Sequence, residues 1–180
     1  SHYRTEGRGP ELMRVGTAAL PEAPHARRPF LIAPMVATLQ NRGENERAIE
    51  LAKGELERGH SRRNTAFLAR VIGSVCRVSG RLQDAREWQR RALDSAREAA
   101  EEVEIGASLC NLGVTAIDQG DLEKAEAYLH ASRSIFVAHD YPRSLAVNLA
   151  NLGMLASLDG RHREGLAAFE EAAELFERVG

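Results

Sequence analysis

The sequence has almost no cysteine and no apolar stretch of membrane-spanning length. Its two cysteines, Cys76 and Cys110, lie inside apolar helical patterns, where cysteine behaves as a small hydrophobic residue. Because no disulfide framework is possible, we expect a reducing, cytoplasmic compartment, with a single Cys76–Cys110 disulfide as the minor alternative. The longest uncharged apolar stretch, residues 144–158, is too short to cross a bilayer, so no membrane association is expected.

The sequence also lacks an excess of charge and any motif of catalysis. It has 24 Lys and Arg against 26 Asp and Glu, and nucleic-acid binding is not expected without clustered positive charge. It contains no phosphate-binding glycine loop, no dinucleotide fingerprint and no HExxH motif, and its six histidines are not spaced as metal ligands. The sequence therefore predicts no enzyme, no metal and no cofactor. The single tryptophan, Trp88, is interpreted as a core anchor between repeats.

Glycine, by contrast, recurs with a period of forty residues. Three stretches, which open at Val71, Asn111 and Asn151, align into two glycine columns. The columns are Gly73, Gly113 and Gly153, and then Gly80, Gly120 and Gly160. A more degenerate copy over residues 34–48 has Gly43 in register but Val36 in place of the first glycine. Agreement at one period indicates an array of repeated structural units.

Each unit is predicted to contain two helices. Before the second glycine, apolar residues recur at helical spacing, as in Leu109, Leu112 and Ala116, and a second amphipathic run follows that glycine. The second glycine suits the left-handed residue that ends a helix, and Asp121 follows it where an N-cap is useful. The first glycine weakens its own helix by about 1 kcal/mol. We therefore expect another helix to approach the backbone closely at that point.

These columns resemble those of the tetratricopeptide repeat, in which Leu, Gly, a turn Gly, an aromatic residue and Ala recur at fixed offsets. The last copy matches at Leu149, Leu152, Gly153, Gly160, Phe169 and Ala172. The resemblance implies an all-α fold, namely a right-handed α-solenoid of helix-turn-helix units, three clear and one degenerate. The departures are Gln89 in an aromatic slot, Ser132 and Gly165 in alanine slots, and a period longer than the usual ~34 residues.

Proline divides the chain into two regions, because five of the six prolines lie in the first 34 residues. We expect residues 1–29 to form a Pro-rich segment with a short helix over 11–20 and an extended linker over 21–29. The array is predicted over residues 30–180, with units at 30–60, 65–100, 103–138 and 142–179. The chain begins with Ser-His-Tyr and stops after its last helix without a capping helix, which indicates self-association at that end, docking of its own N-terminal segment there, or a fragment of a longer protein.

In the family that the sequence resembles, the first helix of each unit lines a concave face. On this chain the matching candidate peptide-binding residues are Arg70, Arg77, Asn111, Val114, Asp118, Val147, Asn151 and Met154. The longer-period arrays of kinesin light chains and bacterial peptide-sensing regulators, which these units resemble, clamp a peptide backbone with Asn at the slot of Asn111 and Asn151. A carboxamide can donate to a C=O and accept from an N–H at once. The alternative is that both Asn bond only neighbouring helices or water.

The sequence leaves two functions open. One is a non-catalytic scaffold that binds a protein or peptide partner in the concave groove, as the sensor portion of a larger bacterial regulator in signal transduction and transcription. The other is self-association without a groove ligand, as a homodimer through the apolar end of the last helix. There Leu175, Phe176 and Val179 have no following unit to cover them.

Overall fold

The computed structural model describes residues 9–179, and within that range all regular structure is helical. The range holds one 3₁₀ helix, His25–Arg27, and nine α-helices. The α-helices are α1 (Gly9–Ala19), α2 (Arg28–Asn41), α3 (Asn45–Leu56), α4 (Arg62–Val78), α5 (Leu82–Glu98), α6 (Glu102–Asp118), α7 (Leu122–Ala138), α8 (Pro142–Leu158) and α9 (His162–Val179). Residues 1–8 of the predicted N-terminal segment and the last residue of the predicted array, Gly180, lie outside the described residues.

The helices form a right-handed α-solenoid, as the sequence predicts. Its pairs are α2/α3, α4/α5, α6/α7 and α8/α9, and each pair packs on the next. The first helices of consecutive pairs also contact one another, whereas the second helices do not pack together to a comparable degree in the described range. The first helices therefore form the tighter inner layer, and their free faces form the concave surface.

The second glycine of each unit ends the first helix of its pair. Gly43, Gly80, Gly120 and Gly160 have φ between +75° and +79°, the left-handed region that glycine enters without steric cost. The side chain of Asp121 then accepts a hydrogen bond from the backbone N–H of Lys124, as predicted for an N-cap.

The first glycine marks the place where the two helices of a pair cross. A Cβ added at Gly113 would lie 2.7 Å from Leu129 Cγ, and a Cβ at Gly153 would lie 3.0 Å from the carbonyl oxygen of Gly165. A side chain has no room there, which confirms the predicted close approach. Gly165 replaces the expected alanine because its own Cβ would lie only 2.9 Å from the carbonyl oxygen of Gly153.

The N-terminal segment departs from its predicted conformation over residues 21–29. Helix α1 occupies the region where a helix was expected over 11–20. The expected extended linker is wrong, because residues 21–29 contain a turn, the 3₁₀ helix and the start of α2 at Arg28. The prolines there act as starting residues for helical turns, since Pro24 precedes the 3₁₀ helix and Pro29 lies in the first turn of α2.

Buried polar contacts hold this folded segment against the first two units. The Arg28 guanidinium donates hydrogen bonds to the Glu55 carboxylate at 2.9 Å and to the Leu20 carbonyl at 2.7 Å. The Asn64 amide donates to the carbonyl of Ala26 at 3.1 Å. Burial of Glu55 would raise its pKa, but the hydrogen bonds and charge of Arg28, with a smaller contribution from His60, outweigh that effect and lower the pKa.

Polar side chains tie neighbouring helices together inside the core, at slots where the family pattern has apolar residues. Gln89 is fully buried in α5 and accepts a hydrogen bond from the Thr115 hydroxyl of α6 at 2.9 Å. Ser132 donates to the Gly106 carbonyl at 2.8 Å, and Asn148 Nδ2 donates to the Leu129 carbonyl at 3.1 Å. Gln89 and Ser132, which depart from the family's aromatic and alanine residues, therefore join neighbouring helices through hydrogen bonds. Their burial without such partners would be unfavourable.

Candidate functional site

The concave surface between α4 and α6 is closed by two ion pairs. Arg70 Nε lies 2.9 Å from the Glu104 carboxylate, and Arg77 Nη1 lies 2.9 Å from the Asp118 carboxylate. Arg70 and Glu104 are the more enclosed pair, with side chains 24% and 14% exposed. Three predicted peptide-binding residues, Arg70, Arg77 and Asp118, are thus paired within the chain. This part of the groove carries little uncompensated charge.

The two asparagines predicted as clamps occupy the same slot on α6 and α8 but have different surroundings. Both are half-buried. Asn151 Nδ2 donates to Cys110 Sγ at 3.2 Å, so this amide group is engaged across the two helices. No hydrogen bond joins the Asn111 carboxamide to another residue in the described range. Asn111 therefore has its full donor and acceptor capacity available, and Asn151 has its acceptor oxygen available.

The remaining predicted residues form the apolar part of the groove, on α6 and α8. Val114 is half-buried, Val147 is 47% exposed, and Met154 is half-buried against the cluster that contains Cys110 and Leu155. Leu158, one turn beyond Met154, is 60% exposed. The structure thus brings the predicted residues of α6 and α8 onto a surface that combines apolar side chains with two carboxamides, while those of α4 are occupied by ion pairs.

Cys110 lies directly beneath this surface and is chemically protected. Burial raises the pKa of its thiol, and the hydrogen bond from Asn151 opposes that rise without cancelling it. Burial likewise raises the pKa of Cys76. Both cysteines are free, so the minor alternative of a disulfide is not realised. A buried thiol with a raised pKa is a poor nucleophile, and Cys110 serves here as a packing residue.

Neither a metal cluster nor a membrane span occurs in the described part of the chain. No group of three or more His, Cys, Asp or Glu among residues 9–179 could hold a metal ion. None of the helices described there is both long enough and apolar enough to cross a bilayer.

Sequence reasoning missed the partners that occupy this surface. Glu104 lies in the first turn of α6 and pairs with Arg70 from the preceding unit. For Arg77 and Asp118 the available signal was spacing, because they lie 41 residues apart, close to the forty-residue period, whereas Arg70 and Glu104 lie 34 apart and have no such signal.

The comparisons with known proteins match part of the chain in sequence and most of it in fold. Residues 104–178 match the family model described as tetratricopeptide repeat. The comparison with curated proteins gave no match. The crystal structure of BtubC (BKLC) from P. vanneervenii superposes with a TM-score of 0.76 at 17% identity, over 99% of this chain and 74% of that one.

Two further solved structures share the arrangement. A Rap protein complexed with competence and sporulation factor gives a TM-score of 0.75 at 17% identity, over 86% of this chain but only 45% of that one. The nearly identical TPR-like repeats of a Podosopora anserina kinesin light chain give 0.64 at 16% identity, over 99% of this chain and 92% of that one. At such identities the superpositions show the fold alone. Residues 104–178 thus match the sequence pattern of the tetratricopeptide repeat, and the described chain shares its helical-solenoid fold with these structures.

Proposed function

We propose that this chain is a protein-interaction scaffold that holds an extended peptide in its concave groove. The observation that carries the proposal is the half-buried carboxamide of Asn111, which has no hydrogen-bond partner in the described range, beside Asn151 in the same slot of the next unit. The polar atoms of the Asn111 carboxamide reach solvent, so a ligand can replace water there without breaking a hydrogen bond inside the chain. A peptide backbone offers both the donor and the acceptor that a carboxamide needs.

The geometry of the groove sets the kind of peptide that it accepts. Packed helices lie about 8–10 Å apart, which corresponds to about three residues of an extended chain. The two carboxamides would therefore grip the peptide backbone at every third residue. The side chains between these points would meet Val114, Val147 and Met154, while the arginines of α4 are already paired. We therefore expect the groove to prefer peptides with apolar side chains over strongly acidic ones.

The wider setting belongs to the same proposal. A Rap protein has been crystallised with competence and sporulation factor, and its TPR-like fold resembles this one. By analogy of fold we place the chain in a larger regulator of signal transduction or transcription, where it acts as the sensor portion. A cytoplasmic setting is supported by its two buried, free cysteines. We propose no catalytic role for the array.

The proposal can be tested with peptides selected from a random library for binding to the wild-type chain. We expect Asn111→Ala with Asn151→Ala to weaken the selected peptides by about 1–3 kcal/mol, the cost of hydrogen bonds lost from a partly buried site. Gln83→Ala serves as the matched control, because Gln83 is an exposed carboxamide on α5, a second helix that does not line the groove. Equal peptide affinity of the wild type and both variants, measured by calorimetry, would show that the two carboxamides do not hold the peptide.

Self-association is a second candidate, favoured by the apolar face of α9. Phe169 and Phe176 are 42% and 41% exposed, whereas Leu129 and Phe136, in the same slots of α7, are 0% and 2% exposed because α8 covers them. The exposed face of α9 could pair with that of a second copy. Light scattering should then show a dimer that Leu166→Glu with Phe176→Glu converts to a monomer. A wild-type chain that is monomeric at every concentration would exclude this candidate.

A further inference from the structure

The outer layer contains an aromatic slot that two units fill and the last unit does not. Trp88 on α5 and Tyr128 on α7 are one repeat period apart, and one further period leads to Ala168 on α9. Each of these residues lies on the side of its helix that faces the gap toward the second helix of the preceding unit. The three gaps can therefore be compared position by position.

In the first two gaps the aromatic ring covers the apolar floor between the outer helices. Trp88 packs on the cluster that includes Ile49 and Ile72, and Lys53 Nζ of α3 lies 5.6 Å from the centroid of its ring. Tyr128 packs on the cluster formed by Leu93 of α5 with Leu109 and Leu112 of α6. In both places a large ring thus closes the space between consecutive outer helices.

In the last gap the corresponding floor is present but the ring is missing. A cavity of about 350 Å³ lies between α7 and α9, with a floor of Leu149, Leu152, Leu155 and Ala156 from α8. Leu149 and Leu152 stand in the slots that Leu109 and Leu112 occupy beneath Tyr128. The α9 wall is formed by Ala167 and Ala168, whose small side chains leave the space open. Leu152 is half-buried where Leu112 is buried, whereas Leu149 and Leu155 are buried at the base of the cavity.

We infer that this cavity, here called the α7/α9 pocket, binds an aromatic side chain carried by a segment of a partner protein. The volume lies at the lower end of ligand-binding pockets, so it suits one side chain better than a large cofactor. The two equivalent gaps show which group completes the site, because each is closed by an aromatic residue of the chain itself. Aromatic residues also contribute the largest buried area per side chain, which favours them as anchors of a protein interface.

The rim of the α7/α9 pocket adds a second feature of recognition. Arg133 and His130 of α7 both line the pocket, and His130 stands in the slot of Lys53, the residue whose ammonium group lies over the Trp88 ring. Arg133 forms no ion pair with the other described residues, whereas Arg161 is held by Glu126 at 3.0 Å and by Glu164 at 3.1 Å. The Arg133 guanidinium is thus available to lie over the face of a bound ring, as a cation–π contact requires.

The inference can be tested by titrating the isotope-labelled full chain with N-acetyltryptophanamide and following backbone amide NMR shifts. We expect the shifts to concentrate on residues that line the α7/α9 pocket, with affinity about tenfold or more above that of N-acetylalaninamide. Ala168→Trp, which supplies the missing ring from within the chain, should abolish the response. Ala131→Trp is the matched control, since Ala131 is exposed on α7 and does not line the pocket, and it should leave the response intact.

Three results would overturn the inference: shifts confined to the concave groove, equal affinity for the two amides, or an unchanged response in Ala168→Trp. Ala168→Leu, which fills less of the space, provides a second variant if circular dichroism shows that Ala168→Trp is misfolded, and it should weaken the response at least severalfold. The pair Asn111→Ala and Asn151→Ala should leave the titration unchanged. The experiment therefore tests the α7/α9 pocket independently of the concave groove.

Discussion

At the scale of single residues, the buried carboxylate of Glu55 shows how one side chain holds a segment in place. Its side chain is 2% exposed and lies 2.9 Å from Arg28 Nε and 3.0 Å from His60 Nε2. Arg28 also binds the backbone of the N-terminal segment at Leu20. The Glu55 contacts therefore join that segment to the first unit, and their strength depends on the charge of one carboxylate.

Replacing Glu55 with Gln should destabilise the chain in a pH-dependent manner. At neutral pH the variant leaves Arg28 buried without its counter-charge, which costs about 3 kcal/mol. The folded-state pKa of Glu55 lies below the ordinary value of 4.5. The carboxylate therefore makes its full contribution to the free energy of unfolding above pH 4.5, and this contribution is lost as the pH falls through the folded-state pKa. The difference in unfolding free energy between wild type and Glu55→Gln, measured by urea titration, should shrink toward acid pH.

Glu57→Gln is the matched control for this experiment, because Glu57 is exposed and forms no ion pair with the other described residues. Its effect should stay within about 0.5 kcal/mol at every pH. A Glu55→Gln difference that stays constant between neutral and acid pH would show that the carboxylate charge does not hold the segment.

At the scale of helices, the decisive contact is the crossing within each pair. Where α8 and α9 cross, Gly153 faces the backbone of Gly165, so both helices give up side chains at the point of contact. The helix-propensity cost of two glycines is offset by the packing that their absence of side chains allows. The helical glycines of this chain therefore differ in their effect on stability. The role of each depends on whether another backbone lies opposite.

Two alanine substitutions separate these roles. Gly165→Ala should destabilise the chain by about 1–3 kcal/mol, because the new Cβ would lie 2.9 Å from the Gly153 carbonyl oxygen and the helices must move apart. Gly54→Ala should stabilise it by about 0.5–1 kcal/mol, because α3 leaves open space there and alanine favours the helix. Thermal unfolding followed by circular dichroism measures both. The same sign of change in both variants would refute the crossing argument.

The helix pairs were predictable from sequence because their signals are local and repeated. The glycine columns, the Asp121 cap and the forty-residue period each reflect a geometric requirement that acts within one unit. The folded stretch over residues 21–29 was not predictable, because its conformation depends on Arg28 meeting Glu55, which lies 27 residues away. Proline limits the backbone angles of such a stretch but does not determine what it packs on.

At the scale of the whole molecule, the array presents two surfaces of different chemistry. The inner surface has carboxamides and apolar side chains on α6 and α8, with paired charges on α4. The outer surface has the α7/α9 pocket, where the aromatic column ends in Ala168. The placement of Asn111 and Asn151 on the inner helices was predictable from register alone. Their different hydrogen bonding was not predictable, because it depends on the contact between Cys110 of α6 and Asn151 of α8.

The outer pocket could also have been found in the sequence, since Trp88, Tyr128 and Ala168 form a column as regular as the glycines. It was overlooked because alanine in a repeat column is usually a sign of close packing rather than of open space. Only the structure shows that consecutive second helices of the pairs do not pack tightly on one another in the described range. The repeat register predicts which residues line the same gap between helices. The width of that gap decides whether an alanine there lies in a close helix contact or beside open space.

The measurement that most directly tests the groove is a crystal structure of the chain with a library-selected peptide. We predict that the peptide runs extended along α6 and α8, with its backbone N–H and C=O groups within hydrogen-bond distance of the Asn111 and Asn151 carboxamides. A peptide that lies elsewhere, or that crosses the groove without backbone contact to either asparagine, would contradict the account.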